Sequence, residues 1–259
     1  MIDRIKEAFE NGKAFIPFIT SGDPSLETTE QLVYAMDDAG ADIIELGVPF
    51  SDPTAEGPVI QAANLRALSA GTTTDKIFSM IAKIRQKTQI PLILMTYANV
   101  VYSYDTELFL KKAASVGVDG LILADVPYEE KEEFSDVCDE YGLCLISMVA
   151  PTSKERIKMI AKDAKGFVYC VSSLGVTGTR KEIKTDVSSM VQLVKEANDI
   201  PCAIGFGISM PETAREMALQ SDGAIVGSAI VKICEKYGAE SVPYVAEYVK
   251  QMKEAVSKF

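Results

Sequence analysis

Eight short runs of apolar residues recur along the 259-residue chain, and longer segments with helical periodicity lie between them. Their hydrophobicity is continuous rather than alternating, which is typical of parallel strands buried on both faces. The runs occupy 14–20, 42–47, 91–97, 119–126, 144–150, 166–173, 201–207 and 223–228. Eight strand–helix units in about 250 residues predict an α/β fold, a (β/α)8 TIM barrel that forms one domain over 1–259. A doubly wound open sheet is the alternative, but no GxGxxG motif follows the first run.

The segments between the runs carry helix signals. Apolar residues at helical spacing occupy 77–84 after a start signal at Thr74-Asp75, and they recur through 242–256. The N-terminal segment MIDRIKEAFENGKA predicts an additional amphipathic helix, and it lacks the apolar core of a signal peptide. Ser228 predicts the start of a short helix after the eighth run.

The ionisable residues limit the chemistry of the chain. With 26 basic and 37 acidic residues the net charge is −11, which argues against a nucleic acid or an anionic membrane as partner. The chain has no histidine, so Ser-His catalysis, histidine general bases and histidine-ligated metals are excluded. No apolar run approaches the roughly 18 residues that a membrane span requires.

The five cysteines are odd in number and scattered, and none forms a CxxC motif. Most lie within the apolar runs, so we expect reduced core residues of a cytoplasmic protein. They are Cys138, Cys144, Cys170, Cys202 and Cys234.

One carboxylate, Glu45, interrupts the second apolar run. Burying an unpaired charge costs several kcal/mol, so a glutamate at a strand end ordinarily pairs with a lysine or turns to water. Here the neighbours Ile44 and Leu46 predict a desolvated carboxyl with a raised pKa, which suits proton transfer near neutral pH. We therefore expect Glu45 to be catalytic.

Two more acids follow in the loop SDPTAEG. Asp52 precedes Pro53, and turn formation accounts for it better than catalysis does. Glu56 allows two interpretations that the residues alone leave equally open. It is an acid near the N-terminus of a helix that begins near Val59, or it is a loop acid that faces a substrate.

Glycine-rich segments follow the last three runs, at 172–180, 205–209 and 227–231. Glycine lets the backbone approach a ligand closely, and the amides at the start of a helix at Ser228 favour an anion. Barrels of this class often bind phosphate with their last loops. The three segments together predict a phosphate site.

Aromatic residues lie at or near the ends of four runs. Such residues usually belong to the core, but a pocket for a flat aromatic substrate would need some of them. They are Phe18, Tyr97, Tyr169 and Phe206.

These features together resemble the tryptophan synthase alpha subunit family over nearly the full chain. The most specific segment is IELGVPFSDPTAEGPVIQ at 44–61. Others in the family's order and spacing are PFITSGDP (17–24), TYANVVY (96–102), DGLILADVP (119–127), SSLGVTGTR (172–180), IGFGIS (204–209) and GAIVGSAIVK (223–232).

The resemblance implies a TIM-barrel lyase of tryptophan biosynthesis. Such an enzyme cleaves indole-3-glycerol phosphate in a retro-aldol reaction to indole and glyceraldehyde 3-phosphate. The indole passes to a beta subunit in an alpha2beta2 heterotetramer. The resemblance implies no metal and no cofactor in this chain, because the pyridoxal phosphate (PLP) belongs to the beta partner.

The resemblance also implies roles for individual residues. Glu45 would protonate the indole at C3 and take the proton of the side-chain hydroxyl, Glu56 would accept a hydrogen bond from the indole N–H, and Tyr169 would be the active-site tyrosine. Phe18, Tyr97, Ala124 and Phe206 would line the indole pocket, Gly178, Gly207, Gly227 and Ser228 would bind phosphate, and Thr177 would lie on a closing loop.

Two positions depart from the family pattern. The family usually has Asp where this chain has Glu56, and commonly Leu where it has Thr54. A misplacement of about 1 Å can lower a rate roughly 100-fold, so the added methylene bears on activity. Three alternatives stay open: a lyase that works alone, a chain that mainly activates a beta subunit, and a phosphosugar isomerase on the same barrel.

Overall fold

The computed structural model describes residues 3–172, 187–205 and 207–257. Nine parallel strand segments form one sheet in the order β5-β4-β3-β2-β1-β9-β8-β7-β6. They are β1 (Ala14–Thr20), β2 (Ile44–Gly47), β3 (Leu92–Thr96), β4 (Gly120–Leu123), β5 (Cys144–Leu145), β6 (Ser147–Val149), β7 (Val168–Val171), β8 (Cys202–Gly205) and β9 (Gly223–Val226).

The sheet closes at Ile146, between β5 and β6. β5 pairs with β4, whereas β6 pairs with β7. The Ile146 N–H donates to the carbonyl of Leu121 at 2.9 Å, so the ladder continues across the break. The one strand predicted at 144–150 is therefore two short segments that serve successive neighbours. Because β5 and β6 together occupy the place of one strand, the barrel has eight strand positions. The predicted TIM barrel is confirmed.

Twelve α-helices occur in the described part of the chain. They are α1 (Arg4–Glu10), α2 (Leu26–Asp38), α3 (Pro58–Ser69), α4 (Thr74–Ile84), α5 (Ala98–Tyr104), α6 (Thr106–Ser115), α7 (Glu132–Tyr141), α8 (Lys154–Lys162), α9 (Val187–Ala197), α10 (Pro211–Leu219), α11 (Ser228–Tyr237) and α12 (Val242–Ser257). Short 3-10 turns cover Tyr128–Glu130 and Gly238–Ser241.

The two predicted extra helices are present, one before β1 and one directly after β9. α1 inserts Ile5 among the side chains of the barrel interior, and Arg4 pairs with Asp119 at 2.8 Å. α11 begins at Ser228, as expected from the sequence. The C-terminal α12 is tied to the barrel by Lys253, whose Nζ lies 2.6 Å from a carboxylate oxygen of Asp42.

Side chains on each strand alternate between the barrel interior and the helix layer. On β1, Ile16 and Phe18 join the interior cluster, whereas Phe15 packs under the helices. Along β2, Ile43 directly before the strand and Glu45 within it both face the interior. The two-residue period of a strand therefore aims the Glu45 carboxyl inward.

The cysteines agree with the sequence prediction. All five are free thiols, four of them buried and Cys144 half-buried. No helix in the described ranges has both the length and the apolar character that a membrane span needs.

Candidate active site

A pocket lies at the carboxyl ends of the barrel strands. This is where barrels of this class place their ligand sites. Its lining residues come from loops and strands that are far apart in sequence. They are Phe18, Glu45, Glu56, Ile60, Met95, Tyr169, Gly207, Ile208, Ile225, Gly227 and Ser228.

Glu45 is the buried acid of this pocket, with 1 % of its surface exposed. Its Oε1 has no hydrogen-bond partner among the described residues. Burial raises the pKa of the Glu45 carboxyl to about 8, because the charged form loses its hydration. A carboxyl that is protonated at neutral pH and aimed into an enclosed pocket can donate a proton to a bound molecule.

Glu56 reaches the same pocket from the loop between β2 and α3. Its side chain is 6 % exposed, and its Oε2 accepts a hydrogen bond from Nδ2 of Asn64 at 2.8 Å. Burial raises the pKa of Glu56 to about 7, and the Asn64 bond opposes this rise. Gly57 is the N-cap of α3, which starts at Pro58. Of the two interpretations that the sequence left open, the structure favours a loop acid that faces the pocket.

Two further contacts fix the Glu56 loop. Gln61 donates from Nε2 to the Glu56 carbonyl oxygen at 2.8 Å. The Ala55 N–H donates to the hydroxyl of Tyr97 at 3.2 Å. The pKa of Tyr97 is raised by burial and by the nearby charge of Glu56, so its hydroxyl stays neutral. Asp52, in contrast, is exposed and accepts a bond from Ser51, as expected of a turn residue.

Tyr169 lies on β7 and faces the barrel interior. Its pKa is raised well above the ordinary value, first by burial and then by the charge of Glu45. The phenol of Tyr169 is therefore neutral. Its ring packs over Gly205 on β8, where a Cβ atom would lie 2.3 Å from the hydroxyl oxygen.

The far end of the pocket is formed by backbone rather than by charged side chains. Gly207 has a φ of +81°, a conformation that favours glycine. Gly227 precedes α11, which is ten residues long and begins at Ser228. The first amides of a helix have no partner within the helix, so this end of the pocket suits an anion. The ring of Phe18 packs against Gly227, where a Cβ would lie 3.3 Å away.

The structure brings most of the predicted site residues together. The three predicted catalytic residues, Glu45, Glu56 and Tyr169, line the same pocket. Four predicted binding residues also line it: Phe18, Gly207, Gly227 and Ser228. Tyr97 and Ala124 are not among the lining residues. Tyr97 accepts the hydrogen bond from Ala55 in the Glu56 loop, and Ala124 is half-buried against the interior cluster. Their contact with a substrate stays a prediction. Thr177, Gly178 and Phe206 lie outside the described residues.

Sequence reasoning missed Asn64 and the apolar walls of the pocket. Asn64 is 3 % exposed, and it shares the buried face of α3 with Ile60, Ala63 and Ala67. A polar residue within a stripe of helical period was the available signal, since a buried amide needs a partner. Ile60, Met95, Ile208 and Ile225 complete the walls.

The two acids differ in their surroundings: burial raises the pKa of both carboxyls, and only at Glu56 does a hydrogen bond, from Asn64, oppose the rise. Near neutral pH, Glu45 with a pKa of about 8 is mostly protonated, whereas Glu56 with a pKa of about 7 is ionised to a larger extent. Two carboxyls with separated pKa values can act as an acid and as an anionic partner in one site. No group of His, Cys, Asp or Glu suited to a metal ion occurs among the described residues.

Comparisons with known proteins agree with this geometry. The family described as tryptophan synthase alpha chain matches residues 5–257. A relative of that name from Thermoanaerobacter sp. (strain X514) is 47 % identical over 262 residues, which cover 98 % of this chain and 100 % of the relative. One from Caldanaerobacter subterraneus is 49 % identical over 249 residues, covering 95 % of each.

Solved structures give the same result. Tryptophan synthase subunit alpha from Legionella pneumophila superposes with a TM-score of 0.89 at 36 % identity, covering 99 % of both chains. A chain from the tryptophan synthase complex of Pyrococcus furiosus superposes with a TM-score of 0.86 at 34 % identity, covering 94 % of this chain and 99 % of that one.

Proposed function

Because this chain belongs to the tryptophan synthase alpha chain family, we propose that it cleaves indole-3-glycerol phosphate to indole and glyceraldehyde 3-phosphate. The observation that carries the proposal is Glu45, a carboxyl with an unpartnered oxygen inside the pocket that Glu56 also lines. The reaction is a retro-aldol cleavage, so it breaks one carbon–carbon bond without a change of oxidation state overall. It therefore requires proton transfers, which two carboxyls can supply or support.

Glu45 has the properties that the first step needs. Indole is a poor carbon leaving group until C3 is protonated, and Glu45 is mostly protonated near pH 7 because burial raises its pKa to about 8. After it gives this proton to C3, its carboxylate takes the proton of the adjacent side-chain hydroxyl. The C–C bond then breaks, the carbonyl of the aldehyde forms, and the electron pair returns to the indole ring. Glu45 ends the cycle protonated, as it began.

Glu56 complements this step electrostatically. Protonation at C3 leaves positive charge on the ring nitrogen, and an ionised carboxylate that accepts the N–H hydrogen bond stabilises that charge. With a pKa of about 7, Glu56 is available in this form. The apolar walls formed by Ile60 and Met95 suit the flat ring.

The phosphate of the substrate is proposed to lie at the opposite end of the pocket. The amides around Gly207 and at the start of α11 at Ser228 offer hydrogen-bond donors there. Binding by backbone amides is compatible with the net charge of −11 on the whole chain. Tyr169 would position the substrate between the two ends.

The proposal includes a beta subunit as partner. The similar solved structures include chains from the tryptophan synthase complex of Pyrococcus furiosus, which is described as an a2b2 complex. We propose the same alpha2beta2 assembly here, with indole passed to the PLP enzyme of the beta partner and no cofactor held by this chain. A lyase that works alone, and a chain that mainly activates the beta subunit, are the two alternatives.

The decisive experiment is to measure release of indole from indole-3-glycerol phosphate by the purified chain, alone and with a cognate beta subunit. We expect cleavage in both conditions, abolished by Glu45→Gln. This variant should still bind an unreactive analogue in which a propyl phosphate replaces the glycerol phosphate side chain. No indole in either condition would overturn the lyase assignment, and cleavage by the Gln variant would overturn the role of Glu45.

A further inference from the structure

Asn64 and Glu56 form a pair of buried polar groups at the start of α3. The Asn64 amide is 3 % exposed and lies on the face of the helix that is otherwise apolar. An apolar residue of similar size would suit that face, since a buried amide loses its hydration. The bond of 2.8 Å from Nδ2 to Oε2 of Glu56 offsets this cost.

The pair is geometrically fixed. Gln61 precedes Asn64 by one helical turn, and its Nε2 donates to the carbonyl oxygen of Glu56 at 2.8 Å. Two donors on one helix therefore hold the backbone and the side chain of the same residue. The Asn64 bond therefore fixes the orientation of the carboxyl group within the pocket.

We infer that Asn64 is a positioning residue for the cleavage reaction: its amide anchors Glu56 and favours the anionic form of that carboxyl. An N–H donor stabilises a carboxylate more than a carboxylic acid, and bonds to an ionised group are the stronger ones. The Asn64 bond accordingly lowers the pKa of Glu56 against the opposing effect of burial. Asn64 acts on the substrate only through Glu56. This inference rests on the proposed function.

The site also explains how glutamate is accommodated here. A glutamate has one more rotatable bond than an aspartate, and an unanchored side chain would spend part of its time in unproductive rotamers. The Asn64 bond fixes the end of the longer chain. The added methylene is thus compensated by an anchor on the neighbouring helix.

The test uses two variants of Asn64 and one control. Asn64→Leu removes the donor at nearly constant volume. Asn64→Asp keeps the shape and places a second carboxyl against Glu56. The control is Asn198→Leu, which makes the same substitution away from the pocket. The Asn198 amide donates to the backbone carbonyl of Ala161 in α8 at 3.0 Å. Two readouts are compared: the pH dependence of kcat/KM, and the titration of Glu56 followed by 13C NMR of its carboxyl, with the resonance assigned by Glu56→Gln.

We expect Asn64→Leu to move the Glu56 titration to higher pH by about one unit and to lower kcat/KM about tenfold near pH 6.5, with partial recovery near pH 8. Asn64→Asp should shift the titration further, because like charges raise the pKa. Asn198→Leu should leave both readouts at the wild-type values. An unmoved titration in both Asn64 variants would overturn the inference. If the wild-type protein releases no indole, the proposed function fails, and the titration still decides whether Asn64 controls Glu56.

Discussion

The ring of Tyr169 on β7 lies directly over the backbone of Gly205 on β8, so that a Cβ at position 205 would fall 2.3 Å from the phenolic oxygen. The strands are adjacent, with Tyr169 in register with Ala203. Gly205 is therefore required by the space that Tyr169 occupies, because no Cβ fits beside the ring.

The first prediction follows from this contact. Gly205→Ala is expected to displace Tyr169 and to lower the free energy of unfolding by about 1–3 kcal/mol, a typical cost of overpacking. Chemical denaturation of both single variants and the double variant Gly205→Ala/Tyr169→Ala measures it. In the Tyr169→Ala background the cost of Gly205→Ala should largely disappear. Equal costs in both backgrounds would show that the ring does not determine the residue at 205.

The second prediction concerns pH. The productive form has Glu56 ionised and Glu45 protonated, so kcat/KM should rise as pH passes about 7 and fall as it passes about 8. A steady-state profile between pH 5.5 and 9.5 measures both limbs. Glu56→Gln should remove the rising limb along with most of the activity. A rate that still increases beyond pH 9 would contradict a protonated Glu45 as the acid.

The third prediction concerns the length of the side chain at position 56. Glu56→Asp keeps the charge but withdraws the carboxylate from Asn64, so we expect kcat/KM to change at least several-fold. The double variant Glu56→Asp/Asn64→Leu tests the coupling, because the loss caused by Asn64→Leu should shrink once the carboxylate is out of reach. If Glu56 only supported the start of α3, activity would be nearly the same with Asp.

The fourth prediction links the Glu45 pKa to stability. The folded protein holds the Glu45 proton more tightly than the unfolded chain does, with pKa values of about 8 and 4.5. The contribution of Glu45 to the free energy of unfolding is therefore fully present below about pH 4.5. It is progressively lost as the pH rises from there through about 8.

The Gln side chain of Glu45→Gln cannot ionise. The free energy of unfolding of this variant, relative to that of the wild type, should therefore increase by about 1–3 kcal/mol between pH 5 and pH 8. Urea denaturation at the two pH values measures the difference. The exposed Glu216→Gln serves as a control and should show no such pH dependence. A constant difference between wild type and Glu45→Gln would mean that folding does not raise the pKa of Glu45.

Much of the fold was predictable from local patterns. The eight apolar runs were sufficient to predict the barrel. Strands that are covered on both faces are continuously apolar, so each one is recognisable in the sequence. The helix starts at Thr74 and Ser228 were predicted from start signals and agree with the structure. The break at Ile146 was not predicted, since which neighbour a strand pairs with is a property of the sheet and not of the strand.

The candidate site, like the fold, was predictable from the sequence only in part. The sequence by itself determined that Glu45 would be a buried acid at the end of a strand, because its apolar neighbours and the two-residue strand period fix both its burial and its direction. Only the tertiary structure decided the role of Glu56. Its loop is held against Tyr97, and its charge depends first on burial and then on the opposing bond from Asn64. These contacts join the loop after β2 to α3 and to the N-cap of α5, and a local pattern contains no information about how separate elements meet.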